Sequence, residues 1–265
     1  MGGAVGGLSI TVDVDGEAGL PEGGLGHADR LTSRSERLYG IARGLPRILD
    51  ALAESGAIGT FYVPGATALA HADAIRAIVE AGHEIGHHGH HHLLTAGLDA
   101  AGEHGELADG LAALAEVAHV RPAGYRSPGW ELTPVTLALL GEHGFAWDSS
   151  LMGDDRPYRI DAGGRTLVEL PVHWSLDDAP HFAAGDGDAE ALLRRWCAEL
   201  RLALAEERHV TFTLHPEILG RGHRVDVLRG LLELAGELGV PVLSHGEVAR
   251  RPAPPPWPGT PGPPR

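Results

Sequence analysis

The sequence predicts an α/β fold in which a parallel sheet or barrel is covered by helices. Short β-branched segments alternate with segments of helical period along nearly all of the 265 residues, an alternation typical of parallel strands joined by helices. No Ser/Gly-rich linker or change in composition divides the chain, so we expect one domain over residues 8–250. Polar residues follow several predicted strands, and active sites of such folds gather at those strand ends.

The first half of the chain shows this alternation from its first strand. "LSITVDVD" (8–15) is β-branched and ends in two acids, as expected for a buried strand that delivers carboxylates at its end. "GLPRILDALAESG" (44–56) has helical period and a terminal glycine. A strand at 59–65, a helix at 71–82 and a strand at 83–88 are predicted to follow.

The second half continues the pattern. A long amphipathic helix is predicted at 101–120, a strand running into a loop at 122–130, and a helix at 133–144. Thr133 is suited to cap that last helix, with Pro134 in its first turn. Further strands are predicted at 145–151, 167–174, 209–216 and, last, 241–249.

Charge and composition exclude several classes of partner. The formal net charge of −15 disfavours nucleic acid and anionic membranes as main partners. Cys197 is the single cysteine, so no intrachain disulfide can form. No segment approaches the roughly 18 apolar residues of a membrane span, and residues 1–7 lack the features of a secretory leader. We therefore expect a cytoplasmic protein with a flexible start at 1–7 and a disordered Pro-rich tail at 251–265.

The acids at the end of the first predicted strand point to a cation. Asp13 and Asp15 are separated by Val14, so at a period of two both carboxylates project from the same face. Two such carboxylates repel each other unless a cation or a proton lies between them. A solvated strand end or a helix cap is the simpler alternative.

A run of histidines offers further ligands. "GHEIGHHGHHHLL" (82–94) holds six histidines, and two histidines with one aspartate form a common catalytic zinc site. Histidines four residues apart share a face on a helical turn. Spacing alone does not choose among the three pairs, and a low-complexity tract that buffers metal is an open alternative. The pairs at that spacing are His83 with His87, His87 with His91, and His88 with His92.

Five motifs occur along the chain in a fixed order: "TVDVDGE" (11–17), "GHEIGHHGHHH" (82–92), "GYRSPGWE" (124–131), "WDSSLMGDD" (147–155) and "TLHPE" (213–217). In these motifs and their order the chain resembles the polysaccharide deacetylase family. The spacer Val14 is typical of a subgroup that contains allantoinase-like enzymes, cyclic imidases and a peptidoglycan-deacetylase-like branch. The resemblance implies a distorted (β/α) barrel of about seven parallel strands in a single domain.

The resemblance also assigns roles to residues. It implies that Asp13 is the general base, held by Arg126, and that His215 is the general acid, with Asp148 as its neighbouring carboxylate. Asp177 and Asp178 are expected only to cap or solvate a loop. The implied cofactor is one divalent ion, with zinc favoured over cobalt, nickel or manganese. The implied metal ligands are Asp15, His88 and His92.

The implied activity is metal-dependent hydrolysis of non-peptide carbon–nitrogen bonds, with removal of N-acetyl groups from an amino sugar. The alternatives are a cytoplasmic hydrolase of small cyclic amides or imides and a catalytically inactive metal-binding module. A glycan or small amide is the expected partner, with neither nucleic acid nor membrane involved. The related branch further suggests a homo-oligomer.

Overall fold

A single curled sheet forms the centre of the protein. The computed structural model describes residues 6–20, 29–182, 187–252 and 255–256. Among these residues the sheet has eight strands in the order β6-β7-β5-β4-β3-β2-β1-β8, and every neighbouring pair is parallel except β6 with β7. The strands are β1 (Gly7–Asp13), β2 (Thr60–Val63), β3 (Glu84–His87), β4 (Gly124–Tyr125), β5 (Trp147–Asp148), β6 (Tyr158–Ala162), β7 (Arg165–Glu169) and β8 (His209–Leu214).

Helices connect most of the strands. One turn of π-helix at Gly40–Gly44 joins the first helix (Leu31–Tyr39) to the second (Leu45–Ser55) without a break. None of the helices in the described part of the chain combines the length and the apolar composition needed to cross a bilayer. The helices are α1 (Leu31–Tyr39), α2 (Leu45–Ser55), α3 (Gly65–Ala70), α4 (Ala72–Glu80), α5 (Ala100–Ala118), α6 (Pro134–His143), α7 (Asp178–Phe182), α8 (Ala189–Ala205), α9 (Val225–Glu237) and α10 (His245–Ala249).

The sheet curls until its two ends approach each other. After β7 the chain returns to the other end of the sheet, where Asp177 makes a parallel bridge to Thr213 of β8. The result is a distorted barrel with seven parallel strands and one antiparallel strand. The predicted fold class, a single-domain α/β barrel of about seven parallel strands, is confirmed.

Strand β1 shows how the sequence separates the barrel interior from the outer core. All seven of its residues are buried, as in a central strand covered on both faces. Leu8, Ile10 and Val12 join the main apolar cluster. Thr11 and Asp13, which alternate with them, accept hydrogen bonds from the fully buried guanidinium of Arg126. The period of two therefore turns the polar residues towards the barrel interior.

The predicted strand at 241–249 is wrong over most of its length. Val242 makes one parallel bridge to Leu8, but residues 245–249 form α10. Ser244 caps this helix, and Glu247 completes a reciprocal capping box, which stabilises a helix start better than a strand.

The predicted flexible ends lie largely outside the described residues. Residues 1–5 of the expected flexible start, and residues 253–254 and 257–265 of the expected tail, are not described. Gly7 already belongs to β1. In the tail, Pro256 makes a parallel bridge to Arg159 of β6, so this part of the tail lies against the edge strand of the sheet.

Candidate metal centre

Asp13, at the end of β1, is held by the guanidinium of Arg126. Nη1 of Arg126 donates to Oδ1 of Asp13 over 2.7 Å and to Oγ1 of Thr11 over 3.0 Å. Nε and Nη2 donate to the carbonyl and the hydroxyl of Ser149, both over 3.0 Å. The guanidinium carbon lies 4.2 Å from the ring centroid of Tyr62. Every edge and one face of the guanidinium are thus occupied, which fixes the carboxylate of Asp13 in one orientation.

Asp15, two residues beyond Asp13, converges with His88 and His92. Oδ1 of Asp15 lies 3.6 Å from Nε2 of His88 and 3.5 Å from Nε2 of His92. The three candidate ligand atoms all lie within 4.8 Å of one another. Oδ1 is buried and has no hydrogen-bond partner among the described residues. An orphaned buried carboxylate oxygen facing two imidazole nitrogens fits a divalent cation of the zinc type.

The two histidines meet through a turn rather than through a helix. Residues 88–92 follow β3 as irregular chain, and positive φ angles of 72° at Gly89 and 59° at His92 bend it sharply. The imidazole rings end with their centroids 4.9 Å apart. The spacing of four therefore brings the ligands together for a different reason from the helical face that the sequence suggested.

A hydrogen bond and burial prepare His88 for metal binding. Nδ1 of His88 donates to the carbonyl of Arg126 over 2.7 Å, which turns Nε2 towards Asp15. Burial lowers the pKa of His88 to about 4, so its imidazole is neutral at pH 7, the form that binds metals. Nε2 of His88 also lies 3.9 Å from Oδ2 of Asp13, so Asp13 lies beside the candidate ligands.

Of the four remaining histidines of the run, three have polar contacts, and the fourth, His90, packs edge-on against His91 with ring centroids 4.3 Å apart. Nδ1 of His83 accepts from the backbone of Gly59 over 3.2 Å. Nε2 of His87 donates to the carbonyl of Leu107 over 3.0 Å. Nδ1 of His91 lies 2.9 Å from a carboxylate oxygen of Glu106. Of the three pairs at spacing four, His88 and His92 are the pair that converges on Asp15.

His215 lies directly after β8, at the same sheet edge as the end of β1. Val12 pairs with Leu214, so His215 follows beside Asp13. Nδ1 of His215 donates to Oδ1 of Asp178 over 2.7 Å, and its backbone N–H donates to Oδ2 over 2.9 Å. Burial alone would lower the pKa of His215, but Asp177 and Asp178 raise it well above its ordinary value. The imidazole is therefore charged at neutral pH.

The expected pairing of Asp148 with His215 is wrong. Asp148 ends β5, and four strands separate β5 from β8 in the sheet order. Its carboxylate accepts hydrogen bonds from the backbone and the hydroxyl of Ser150, over 3.0 and 2.9 Å, and Asp148 lies opposite Glu169 of β7 in the strand register. Asp178, expected only to cap a loop, is the partner of His215. The overlooked signal was an adjacent acid pair, Asp177 and Asp178, soon after a predicted strand.

A cleft opens beside the candidate ligands. Its volume is about 790 Å³, within the usual range of small-molecule sites of about 300–1,000 Å³. Its lining includes His92 with the apolar side chains of Leu93 and Leu94, and also the charged residues Glu17 and Arg34. A substrate in this cleft would reach the candidate ligand His92 directly.

Two tryptophans stack on each other near Arg126. The ring centroids of Trp130 and Trp174 are 4.3 Å apart, with an angle of 18° between the planes. Trp130 is buried beside the guanidinium, whereas Trp174 is 44% exposed. Trp174 therefore presents an aromatic face to solvent.

The sequence of the chain is similar to those of known proteins. The sequence profile described as polysaccharide deacetylase matches residues 39–147. A peptidoglycan deacetylase of Helicobacter pylori is 28% identical over 248 residues, covering 81% of this chain and 84% of that protein.

Solved structures agree with the sequence comparison. A crystal structure from Mycobacterium smegmatis, described as a polysaccharide deacetylase, is 39% identical with a TM-score of 0.86, and the match covers 93% of this chain and 90% of that one. An allantoinase superposes with a TM-score of 0.84, covering 94% of this chain and 90% of its own. At 24% identity the allantoinase supports the fold alone.

Proposed function

The chain belongs to the polysaccharide deacetylase family, and from that membership we propose that it is a metal-dependent hydrolase that removes N-acetyl groups from an amino-sugar substrate. The observation that carries this proposal is the buried Oδ1 of Asp15, which faces two imidazoles and lacks any other partner among the described residues. The similarity to the peptidoglycan deacetylase of Helicobacter pylori supports a glycan as the substrate.

We assign the metal ligands to Asp15, His88 and His92, and we favour zinc as the ion. Two imidazole nitrogens and one carboxylate oxygen are a common catalytic zinc set, which leaves a position for water or substrate. Cobalt, nickel and manganese also bind such mixed donors, so affinity alone does not select the ion. When bound, the cation would supply Lewis-acid chemistry, because it polarises a carbonyl and makes water more acidic.

Asp13 acts in this proposal as the general base. Its Oδ1 is held by Arg126, and its Oδ2 faces the pocket 3.9 Å from Nε2 of His88. From that position it takes a proton from the attacking water. The pairing with Arg126 keeps the carboxylate oriented while the bond to the substrate carbonyl forms.

His215 acts as the general acid. Its Nδ1–H is bound to Asp178, so the proton on Nε2 is the one that can be delivered. An amide nitrogen leaves poorly as an anion, so the donated proton is needed to break the carbon–nitrogen bond. Asp178 and Asp177 keep the imidazole charged and hold its orientation until that step.

The proposal is tested by measuring acetate release from N-acetylglucosamine oligomers by the zinc-loaded protein. We expect turnover by the unmodified chain and a loss of about 10²- to 10⁴-fold in Asp13→Asn, the range that general-base catalysis usually contributes. The zinc content of the variant should stay the same, because Asp13 is not among the proposed ligands. Asp155→Asn, which changes the exposed last residue of the fourth motif, is the matched control and should keep full activity.

The same assay separates the alternatives. Allantoin and cyclic imides are offered in parallel, and turnover of these rings without acetate release would show that the substrate assignment is wrong. Equal acetate release by the unmodified chain and Asp13→Asn would contradict the assignment of the base.

A further inference from the structure

One charged side chain outside the predicted site, Arg37, reaches the second oxygen of Asp15, and a second, Glu217, lies against Arg37. Nη1 of Arg37, from α1, lies 3.5 Å from Oδ2 of Asp15 and also hydrogen-bonds to the carboxylate of Glu217. Nη2 of Arg37 donates to the carbonyl of Gly19 over 3.1 Å. The two oxygens of Asp15 thus have different surroundings, since Oδ1 faces the imidazoles and Oδ2 faces a guanidinium.

Close backbone packing delivers Arg37 to this position. Helix α1 contributes no buried residue of its own, so apolar burial does not place it. Instead, the turn at Gly40–Gly44 packs directly on the chain after His215. A β-carbon on Gly44 would lie 1.9 Å from the carbonyl oxygen of Pro216, and one on Gly40 would lie 2.8 Å from the nitrogen of Glu217. Such contact is open only to glycine, and it sets the end of α1 against the site.

A further glycine makes room for the guanidinium itself. A β-carbon on Gly19 would lie 2.6 Å from Cβ of Asp15 and 2.9 Å from Nη1 of Arg37. Three short approaches, at positions 19, 40 and 44, therefore surround the contact between Arg37 and Asp15. The contact is built into the backbone and is not an accident of a long surface side chain.

The charges of Arg37 and Glu217 offset each other. A cationic side chain beside a metal ligand would repel a bound metal ion if it stood alone. Glu217 is 4% exposed and lies against the same guanidinium. Burial raises the pKa of Glu217 to about 7, so its carboxylate offsets the charge of Arg37 more completely as the pH rises above that value. What remains for Asp15 is a directional contact on Oδ2 that leaves Oδ1 turned towards His88 and His92.

We propose that Arg37 is a positioning residue for the candidate metal ligand Asp15. Glu217 holds the guanidinium of Arg37 in place and offsets its charge. The inference rests on the metal site of the proposed function and adds a device that orients one of its ligands. Groups that orient a metal ligand from behind are typically worth about 10- to 100-fold in metal affinity.

The test is a titration of the metal-free protein with cobalt(II) chloride, followed by visible absorption. We expect the dissociation constant to rise by about 10- to 100-fold in Arg37→Gln and in Glu217→Gln. The absorption spectrum should also change, because a released Asp15 can present both oxygens to the ion, and a purely structural role would not alter the coordination. The double variant should bind no more weakly than Arg37→Gln, since Glu217 acts through Arg37.

Arg47→Gln is the matched control. Arg47 donates to the carbonyl of Gly220 over 3.0 Å, in the segment that the glycine turn contacts, and also to Tyr39. Its loss weakens the packing of the same segment, so thermal stability should fall. The substitution leaves the side chains of Arg37 and Asp15 unchanged, so cobalt affinity should stay within about twofold of the original. Circular dichroism checks that each variant folds, and Arg37→Lys, which lacks the planar fork, provides a milder change with the same expected direction.

The outcomes separate this inference from the function itself. If the unmodified chain binds cobalt and both single variants bind it equally well with the same spectrum, the positioning role is wrong and the metal site stands. If the unmodified chain binds no cobalt with measurable affinity, the metal site is wrong and the inference fails with it.

Discussion

The protonation of His215 depends on two acids, Asp177 and Asp178, in the segment that returns from β7 to lie beside β8. Asp178 accepts from both the side chain and the backbone of His215, and Oδ1 of Asp177 lies 3.5 Å from the same ring nitrogen. These carboxylates outweigh the desolvation of the buried imidazole and raise its pKa well above the ordinary value. An imidazole in this environment stays protonated where a free histidine has already lost its proton.

We therefore predict that Asp178→Asn moves the alkaline limit of activity to lower pH. Removing the negative charge lowers the pKa of His215, so the general acid loses its proton earlier as the pH rises. The descending limb of the kcat profile should move down by about one to three pH units. Profiles of kcat against pH, measured with N-acetylglucosamine oligomers as substrate, give the shift. Asp148→Asn is the control, and an equal shift in that variant would contradict the assigned pairing.

The site shows what a local pattern can and cannot predict. The spacing within 82–92 left three histidine pairs open, and the resemblance to the family was needed to select Asp15, His88 and His92, which the structure brings together. The partner of His215 was not predictable in this way. Its pairing with Asp178 depends on how the chain returns from β7 to β8, a contact across the barrel that no local spacing encodes.

Helix α5 supports the histidine run through a close approach at one of its glycines. A β-carbon on Gly110 would lie 2.4 Å from Nε2 of His87 and 2.7 Å from the carbonyl oxygen of Gly89. Gly105, on the same helix, has no heavy atom within 4 Å of its β-carbon position. The helix therefore carries one glycine that packing requires and one that it does not.

We predict opposite effects for alanine at these two positions. Gly105→Ala should stabilise the protein by about 0.5–1 kcal/mol, the usual gain in helix propensity. Gly110→Ala should destabilise it by about 1–3 kcal/mol, because the overpacking outweighs that same gain. Urea unfolding of both variants measures the difference. A stabilising Gly110→Ala would mean that the histidine run yields without cost.

Elements were predictable where period and caps agreed, and were missed where a turn signal was overlooked. The helix at 133–144 was predicted from Thr133 and Pro134, and α6 begins at Pro134 with Thr133 as its cap. The hairpin of β6 and β7 was missed, although Gly163 and Gly164, both at positive φ, form its turn. Two adjacent glycines between apolar segments indicate a β-hairpin, whereas the strand–helix alternation indicates only parallel strands.

A buried pair of carboxyl groups couples the whole fold to pH. Asp148 and Glu169 lie opposite each other on β5 and β7, both fully buried. Burial raises the pKa of Asp148 to about 6 and that of Glu169 well above its ordinary value. Two adjacent buried carboxyl groups cannot both ionise without strong repulsion, so one of them holds a proton.

This pair makes the folded state less stable as the pH rises. An unfolded glutamate loses its proton near pH 4.3, whereas folded Glu169 keeps it to a higher pH. Over that interval the folded state binds more protons, so the free energy of unfolding falls as the pH increases through it. The contribution of the pair is complete at acidic pH and is lost as Glu169 ionises.

Glu169→Gln should flatten this dependence. The amide can keep the hydrogen bonds that Oε1 accepts from the backbones of Ser150 and Leu151 and can donate permanently to Asp148. The slope of unfolding free energy against pH should become shallower by up to about 1.4 kcal/mol per pH unit. Urea unfolding from pH 5 to pH 9 measures it. Glu190→Gln, whose carboxylate is 91% exposed, should leave the slope unchanged.

At the scale of the molecule, alternation of strand and helix was sufficient to predict a single parallel α/β unit. Closure into a barrel was not predictable from that pattern, because an open sheet and a barrel share the same alternation. The resemblance to a family supplied the barrel, and the bridge between Asp177 and Thr213 is the contact that makes it.

The pairing of β1 with β8 also has a consequence for biosynthesis. Residues 7–12 pair with residues 209–214. Strand β1 therefore leaves the ribosome long before β8, and one of its two edges stays unpaired until β8 has been made. Contacts so distant along the chain slow folding, and an uncovered strand edge invites association with other chains. Until residues 209–214 have been synthesised, the nascent polypeptide therefore leaves one edge of the strand that carries Asp13 uncovered, and chaperones that bind exposed strands could act there.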